Sequence, residues 1–537
     1  MSTHQPGNEI PHATYTTDEV LDAMQHITPP GTRPDELEGP LSIVAGLRGL
    51  TTQLLRMDGD QAVAEYQRYV DTERRQLTIP EHAKDTLDSI ISGKRVLVTG
   101  ATGVIARPLL KQLSFYGPTQ IVGISRGTRR AGIDYVPVED VDYYHCDVRD
   151  KTMLRELFAS IQPDIVFHLA AERSPAVAER DAQRAITTNL FGTETLLAVM
   201  EEYATNRHAD ELPRFVYAST GKAVRPYSPD IYCATKQASE SIIARFASHI
   251  AASGKQIQVS AGRFTHNVDR SIVIKMLNQA IATNAAIGMH DPYDEFYIES
   301  AAESVQLLLT SILEAQNDGL SVAAITDLGQ PIRLYDLALG AVAARFGNAA
   351  TYAQHPAPPY LYVQGKPPGY EDAHYPSLYH PTLSFGVSPL ISAVDGSVEP
   401  APNSVLPDSN AHQIDTFNMK YIPDIAERFE KQLAALRTMC ATTSDPHALR
   451  AALQRVSWSR LEARLETIPM HVLEPMSKFV CRNGVDQLNT LPEHHSMDAA
   501  IRLAYVTRKR RTAARIGSQI LTAVPTPASH QQHARQP

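Results

Sequence analysis

Short apolar runs alternate along this chain with longer stretches in which apolar residues recur every three or four positions. The runs end in glycine or in small and polar residues, as buried strands do, and helical spacing follows them. The predicted strands cover 96–98, 120–126, 143–150, 164–171 and 215–220. This alternation predicts an α/β fold with a doubly wound, parallel, Rossmann-type sheet.

Helical spacing dominates both ends of the chain. At the N-terminal end it runs from 41 to 87, interrupted at Gly59 and Pro80, and it returns beyond 425 after a Pro- and Ser-rich stretch. We predict a helical N-terminal extension (1–92), a cofactor-binding domain with a small substrate-binding subdomain (93–395) and a mainly helical C-terminal region (396–537). The C-terminal region is expected to cover the substrate side or to make a subunit contact.

Composition excludes several classes of partner. The net charge of -9 over 537 residues argues against a nucleic-acid surface, and the basic run 508–511 is interpreted as a solvated helix face. The scattered cysteines form no C-x-x-C pair, and the histidine pair 494–495 lacks further ligands at metal-site spacing, so no metal is predicted. Without a long apolar run or a signal peptide, we expect a cytoplasmic protein with no membrane partner.

A glycine turn joins the first predicted strand to a helix. In the spacing G-x-x-G-x-x-A, the first glycine allows the tight turn and the second lets a phosphate approach the backbone at a helix N-terminus. Such a motif alone is weak, and an ordinary strand-to-helix turn is the alternative. The residues assigned to the cofactor in this turn are Gly100, Thr102, Gly103, Val104 and Ile105.

The second predicted strand ends in Ser125 and Arg126, where a Rossmann-type sheet meets the adenosine ribose of its cofactor. An acidic residue here usually binds the 2′-hydroxyl of NAD, whereas a guanidinium suits the 2′-phosphate of NADP. Arg129 and Arg130 follow closely. We therefore predict NADP rather than NAD, the alternative being that these arginines face water.

Tyr232 and Lys236 stand four residues apart, on one face of a predicted helix that follows the strand ending at Thr220. A lysine ammonium beside a phenol lowers the pKa of the phenol. The tyrosine can then take a proton from an alcohol that loses a hydride to a nicotinamide. The pattern is common by chance, but here it follows a glycine-rich turn and a hydroxyl-bearing strand end.

Together these motifs resemble the extended short-chain dehydrogenase/reductases, in particular the polysaccharide-biosynthesis branch typified by UDP-N-acetylglucosamine 4,6-dehydratases. The resemblance covers about residues 93 to 390. The matching segments are 99–106 (TGATGVIA), 146–150 (CDVRD), 168–171 (HLAA), 188–193 (TNLFGT), 219–224 (STGKAV), 232–236 (YCATK), 261–264 (AGRF), 303–309 (ESVQLLL), 327–338 (DLGQPIRLYDLA) and the weaker 365–369 (GKPPG).

The resemblance implies roles for individual residues. The cofactor residues that it implies are Asp147, Val148, Leu169, Ala170, Ala171 and Asn189, together with Tyr232 and Lys236. The catalytic residues that it implies are Thr220, Lys222, Tyr232 and Lys236, with Lys222 removing a proton from the carbon beside a ketone. The substrate residues are Arg263 and Asn267.

The chain departs from this branch on the substrate side. The dehydratases read S-T-D-K, but here Gly221 replaces the acid that helps expel a hydroxyl, although Lys222 remains. The loop before Tyr232 is longer than in that branch and contains Asp230. The arginines that usually hold the nucleotide diphosphate are missing from 291–297 and from position 367.

We therefore predict an NADP-dependent enzyme that oxidises a secondary alcohol of a sugar or nucleotide sugar to a ketone, followed by dehydration or epimerisation. One alternative is a simple ketoreductase or dehydrogenase of a specialised biosynthetic pathway. Another is a catalytically inactive scaffold, which the missing acid favours and the retained Tyr232 and Lys236 oppose. Because such enzymes associate through helices, a homo-oligomer is expected.

Overall fold

The computed structural model describes residues 15–29, 31–127, 137–204, 212–224, 230–365, 399–400, 414–419 and 423–462, together with Met470 and Lys509. Several features singled out in the sequence lie outside these residues. They are Arg129 and Arg130, the loop at 225–229, position 367, the histidine pair 494–495 and most of the basic run 508–511.

The described residues form fifteen strands and fifteen α-helices, with short 3₁₀ or π turns at 34–36, 187–191 and 221–224. The strands are β1 Arg95–Thr99, β2 Gln120–Ser125, β3 Asp142–His145, β4 Ile165–His168, β5 Arg214–Thr220, β6 Gln258–Phe264, β7 His266–Asn267, β8 Ala286–Met289, β9 Glu295–Phe296, β10 Ile298–Glu299, β11 Leu320–Ile325, β12 Ile332–Arg333, β13 Tyr360–Val363, β14 Glu399–Pro400 and β15 Ile414–Met419. The helices are α1 Thr17–Ile27, α2 Pro40–Thr72, α3 Glu81–Ile91, α4 Ala106–Ser114, α5 Lys151–Ile161, α6 Pro175–Arg180, α7 Ala182–Ile186, α8 Gly192–Ala204, α9 Ile231–Ala252, α10 Ile272–Ala282, α11 Ala301–Ser311, α12 Leu334–Phe346, α13 Ala349–Gln354, α14 Pro423–Thr442 and α15 Pro446–Glu462.

A nine-stranded sheet with the order β14-β15-β11-β6-β5-β4-β1-β2-β3 forms the centre of the fold. The strands from β11 to β3 pair in parallel, and β15 and β14 extend the sheet with antiparallel pairings. The strand order reverses between β1 and β4, and in such sheets the ligand crevice opens there, at the carboxyl ends of the strands. The predicted doubly wound α/β fold is confirmed.

Helices cover both faces of the sheet because parallel strands bury side chains on both sides. Helices α3, α4 and α11 pack on one face, and α5, α8 and α9 pack on the other. In α4, for example, the apolar residues at helical spacing (Leu109, Leu110 and Leu113) are all buried. The sheet and the helices on its two faces therefore share one continuous apolar core.

A second core lies beside the sheet and joins the N-terminal helices to the smaller subdomain. It combines apolar residues of α1, α2, α10, α12, α13, β8 and β13. Helices α2 and α12 touch backbone to backbone, since a Cβ at Gly340 would lie 2.0 Å from the Ala62 carbonyl oxygen. The predicted interruption at Gly59 is wrong, because this residue is buried inside the continuous helix α2. Pro80 does precede a new helix, α3.

The C-terminal region is not separate from the sheet. Strand β15 pairs with β11 along its whole length, and β14 adds an edge beyond it. Residues 399–400 and 414–419, which follow the predicted boundary at 395, therefore belong to the central sheet. Helices α14 and α15 pack on each other, and α15 also packs on α9 and α7. Among the helices that the structure describes, none has the length and apolarity needed to cross a lipid bilayer.

Candidate active site

The glycine turn after β1 is built so that only glycine fits its first position. Gly100 has φ +70°, and a Cβ there would lie 2.7 Å from the Ala170 nitrogen at the end of β4. The Gly103 amide donates to the Gly100 carbonyl at 2.8 Å and closes the turn. The glycine turn thus lies against the backbone of Leu169 and Ala170, and such a turn before a helix suits a dinucleotide pyrophosphate.

His168 belongs to a buried hydrogen-bond chain beneath this turn. The Ala170 amide donates to Thr99 Oγ1 at 3.1 Å, and Thr99 Oγ1 lies 2.7 Å from His168 Nδ1. On the other side, His168 Nε2 lies 2.9 Å from Thr193 Oγ1, whose hydroxyl donates to the Asn189 carbonyl. Burial lowers the pKa of His168 to about 3, so the ring stays neutral and supports the ends of β1 and β4.

Asn189 is also a structural residue, so its predicted contact with the cofactor is wrong. Its side chain is buried, and Oδ1 accepts from the Glu172 amide at 2.7 Å. Its Nδ2 donates to the Glu172 carbonyl and to Thr235 Oγ1, both at 3.1 Å. Both amide hydrogens are therefore used to join the loop after β4 to α9, which carries Tyr232 and Lys236.

Three arginines meet at the end of β2, where the adenosine ribose was predicted to bind. Burial lowers the pKa of Arg126, and the charges of Arg184 and Arg149 lower it further, while Asp147 opposes them. Asp147 itself is bound by the Arg149 guanidinium, with Nη2 and Oδ2 2.7 Å apart. Sequence reasoning found Arg126 but missed Arg149 and Arg184, which approach it only through the fold.

Two other residues predicted to contact the cofactor at this end are Val148 and Ser125. Val148 is buried, and a Cβ at Gly192 would lie 2.8 Å from its Cγ2, so glycine is required there. The Ser125 hydroxyl points to the Gly127 carbonyl at 3.5 Å.

Thr220, Tyr232 and Lys236 come together where β5 ends and α9 begins. The Thr220 side chain lies close enough to the Tyr232 phenol to lower its pKa. One turn later, Lys236 Nζ donates to the Ala218 carbonyl at 2.7 Å and lies 4.5 Å from the centre of the Tyr217 ring. The three predicted catalytic side chains are thus neighbours at the carboxyl edge of the sheet.

The predicted electrostatic effect of Lys236 on Tyr232 is not what the structure has. Burial raises the pKa of Tyr232, with Thr220 and the positive charge of Arg173 opposing the rise. Burial also lowers the pKa of Lys236 to about 7, with Glu240 opposing that change. The lysine amine is directed to a backbone carbonyl rather than to the phenol, and Arg173 is a nearby cation that sequence reasoning missed.

Asp230 caps α9 and does not replace the acid that is missing at Gly221. Its carboxylate accepts from the Cys233 amide at 2.7 Å, and its side chain is buried. An aspartate at this position satisfies a free donor of the first helical turn. Lys222 lies on the neighbouring turn, where its amide donates to Thr220 Oγ1 at 3.4 Å.

A histidine that sequence reasoning missed lies beside Lys222. Strands β5 and β6 pair Thr220 with Phe264, so Lys222 and His266 each follow two residues beyond this pair. The Tyr69 hydroxyl of α2 lies 2.8 Å from His266 Nε2, and the Phe296 ring centre is 4.7 Å from that of His266. Burial lowers the pKa of His266 to about 4, and the Lys222 charge adds to the effect.

Arg263 does not face the substrate side, so its predicted role there is wrong. Its side chain is fully buried and forms a two-pronged ion pair with Glu240, at 3.0 Å from Nε and 2.7 Å from Nη2. Asn267 lies on β7, where Nδ2 donates to Ser304 Oγ at 3.0 Å and Oδ1 accepts from the Asp269 amide at 3.1 Å. These bonds hold the β7 turn, and the role of Asn267 toward a substrate stays a prediction.

Comparison with known proteins finds relatives for the central part of the chain. Residues 96–354 match the family model described as "Polysaccharide biosynthesis protein". This stretch, just under half of the chain, is similar to that family and resembles the extended short-chain dehydrogenase/reductases. The matched residues run from β1 to α13 and so contain the glycine turn and the Thr220, Tyr232 and Lys236 cluster.

Curated relatives match the same part of the chain. The capsular polysaccharide biosynthesis protein CapD of Staphylococcus aureus is 27% identical over 262 residues, which cover 46% of this chain and 40% of that protein. An inverting UDP-N-acetylglucosamine 4,6-dehydratase of Campylobacter jejuni is 28% identical over 198 residues, covering 36% of this chain and 55% of that protein. The chain thus spans about half the length of these relatives, or less.

A solved structure of UDP-glucose 4-epimerase from Thermotoga maritima is similar over 51% of this chain and 91% of the epimerase chain, with 18% identity and a TM-score of 0.39.

Among the residues that the structure describes, no group of three or more His, Cys, Asp or Glu side chains is placed to hold a metal ion.

Proposed function

We propose that this protein is an NADP-dependent enzyme that oxidises a secondary alcohol of a sugar or nucleotide sugar to a ketone. The observation that carries the proposal is the cluster of Thr220, Tyr232 and Lys236 at the carboxyl edge of the sheet, beside a glycine turn that suits a dinucleotide. The names of the relatives, polysaccharide biosynthesis proteins and nucleotide-sugar dehydratases, support a nucleotide-sugar substrate.

Each catalytic side chain has a defined task in this reaction. Bound NADP supplies the acceptor for the hydride. Tyr232 takes the proton of the substrate hydroxyl, and Thr220, whose side chain lies beside the phenol, orients that hydroxyl. Lys236 lies one turn later on the same face of α9, and its task is to bind the ribose of the cofactor. Burial raises the pKa of Tyr232, so the phenolate is scarce near neutral pH and becomes more populated as the pH rises. The rate should therefore rise with pH.

The ketone acidifies the neighbouring C–H bond, and Lys222 is the residue that we propose to remove that proton. Dehydration would also require an acid to protonate the leaving hydroxyl. Gly221 has no side chain to do so, and Asp230 is occupied as the cap of α9. These two observations favour epimerisation or simple oxidoreduction over dehydration.

We propose NADP as the cofactor because Arg126, rather than an acidic residue, directly follows β2 in the chain. Arg149 and Arg184 lie near Arg126 but are paired with Asp147 and Glu172, so Arg126 is the guanidinium that would bind the 2′-phosphate. Homo-oligomerisation and a cytoplasmic location stay predictions from the sequence. A scaffold without catalysis is the second candidate, favoured by Gly221 and opposed by the intact catalytic cluster.

The test is anaerobic mixing of the protein and NADP with UDP-glucose and with UDP-N-acetylglucosamine, while the absorbance of the reduced nicotinamide is followed. We expect reduction of bound NADP with at least one sugar, and mass spectrometry should show exchange of a carbon-bound proton with deuterated water. Loss of one water mass from the sugar would instead establish dehydration. NADP binding without any reduction by either sugar would favour the scaffold.

A further inference from the structure

We propose that the C-terminal helix α15 is part of the active site, because Arg450 and Glu179 together position the first turn of α9, which carries Tyr232. The inference rests on the proposed role of Tyr232 as the base. Glu179 and Arg450 are positioning residues in this account, since they act through the helix. The helix that supplies Arg450 lies beyond residues 96–354, so the family match does not include it.

The link between α15 and α9 is short and buried. The Ile231 amide, next to Tyr232 in the chain, donates to Glu179 Oε1 at 2.8 Å. The other carboxylate oxygen, Oε2, pairs with the Arg450 guanidinium. The two side chains are only 5% and 13% exposed, so water does not screen the pair.

The first turn of α9 needs both carboxylates because its amides have no partners within the helix. Asp230 accepts from the Cys233 amide, and Glu179 accepts from the Ile231 amide. Burial raises the pKa of Glu179 to about 7, and the Asp230 charge adds to the rise, while Ile231 and Arg450 oppose it. Arg450 is thus a cation that limits the rise of the Glu179 pKa beside Asp230.

A second link joins α15 to the other catalytic residues. The Ser457 hydroxyl hydrogen-bonds Gln237 Oε1, and Gln237 Nε2 donates to the Ala223 carbonyl at 3.2 Å. Gln237 follows Lys236 directly, and Ala223 follows Lys222. Helix α15 therefore reaches residues next to Tyr232, Lys236 and Lys222 through buried polar side chains.

Two measurements on the full chain test this inference. The first is amide hydrogen exchange of the peptide 230–236, compared among the wild type, Arg450→Met, Arg450→Lys and Glu179→Gln. Glu430→Gln is the matched control, because it removes the ion pair of α14 with Arg245, farther along α9. We expect exchange of this peptide to accelerate at least about tenfold in Arg450→Met, equivalent to about 1.4 kcal/mol. Arg450→Lys should restore much of the protection.

The second measurement is the pH profile of single-turnover NADP reduction, with UDP-glucose as the probe. Protonation of Glu179 would weaken its bond with the Ile231 amide, so its titration adds an acid limb to the profile besides that of Tyr232. Because Arg450 lowers the pKa of Glu179 and Asp230 raises it, Arg450→Met should move this limb to higher pH. Glu179→Gln keeps an oxygen for the Ile231 amide but cannot titrate. In that background, Arg450→Met should move the limb no further.

Equal exchange of 230–236 in Arg450→Met and Glu430→Gln would overturn the inference, as would accelerated exchange with an unchanged pH profile. If the wild type reduces no NADP with UDP-glucose, the proposed function fails for that sugar, and the exchange data alone then decide whether α15 positions α9. The two failures are therefore distinguishable. If Arg450→Met does not fold, Arg450→Gln, which keeps a polar side chain without the charge, takes its place in both measurements.

Discussion

Replacing Arg263 with methionine tests whether this residue is structural. Its guanidinium and the Glu240 carboxylate are both 0% exposed, and Glu240 Oε1 also accepts from the Ser219 hydroxyl at 2.6 Å. The Arg263→Met variant leaves the Glu240 carboxylate buried with the Ser219 hydroxyl but without its guanidinium partner. Removing one partner of a buried ion pair typically costs about 3–5 kcal/mol, because the other charge stays desolvated.

An exposed pair of the same geometry is the matched control. Arg155 binds Glu202 with two contacts, 2.7 and 2.9 Å long, but the side chains are 53% and 44% exposed. An exposed ion pair contributes about 0–1 kcal/mol, so Arg155→Met should change the free energy of unfolding little.

The assay is urea denaturation followed by circular dichroism, with NADP titration of each folded variant. We expect a clearly lower midpoint for Arg263→Met and a smaller loss when Glu240→Gln is added, since the lone charge is then removed. A variant as stable as Arg155→Met that has lost only sugar-nucleotide binding would refute the structural role and restore the one predicted from the sequence.

Three further predictions concern the cofactor side of the site. Arg126→Ala should weaken NADP binding about ten- to a hundredfold, because a charge-assisted contact to the 2′-phosphate is lost, and should leave NAD binding unchanged. Titration with each cofactor tests this, and an equal loss of affinity for NADP and NAD would contradict the prediction. Gly100→Ala should abolish cofactor binding, since its Cβ would meet the Ala170 backbone at 2.7 Å, whereas Gly49→Ala, with nothing within 4 Å, should bind normally. Burial lowers the pKa of Lys236 from 10.5 to about 7, so between these pH values the unfolded chain binds more protons than the folded chain. The free energy of unfolding should therefore increase as the pH is raised from 7 to 10.5, by up to about 1.4 kcal/mol per pH unit. Lys236→Met should remove this rise in urea denaturation at several pH values.

Local motifs were predictable because the chemistry depends on residues that are close in sequence. The glycine turn requires a positive φ at Gly100, and Tyr232 and Lys236 share a helix face by spacing alone. The sheet followed from the alternation of strands and helices, and strand topology places Thr220 beside the crevice.

Long-range contacts were not predictable from one sequence. Nothing near Arg263 indicates that Glu240, on another element, will bury its charge, so the arginine was assigned to the substrate. The Tyr69 and His266 pair joins residues that are far apart in the chain, and so does the pairing of β15 with β11. In each case the tertiary partner, which the local pattern does not specify, determines the role.

The most direct test of the proposed function is single-turnover reduction of bound NADP by a reactive sugar nucleotide in the wild type, Tyr232→Phe and Tyr144→Phe. Tyr144 is 48% exposed and serves as the control for the substitution itself. We predict that Tyr232→Phe binds NADP normally but reduces it about 10²–10⁴-fold more slowly, because the proton acceptor is gone. Tyr144→Phe should react like the wild type. Reduction at the wild-type rate by Tyr232→Phe would contradict the assignment of Tyr232 as the base.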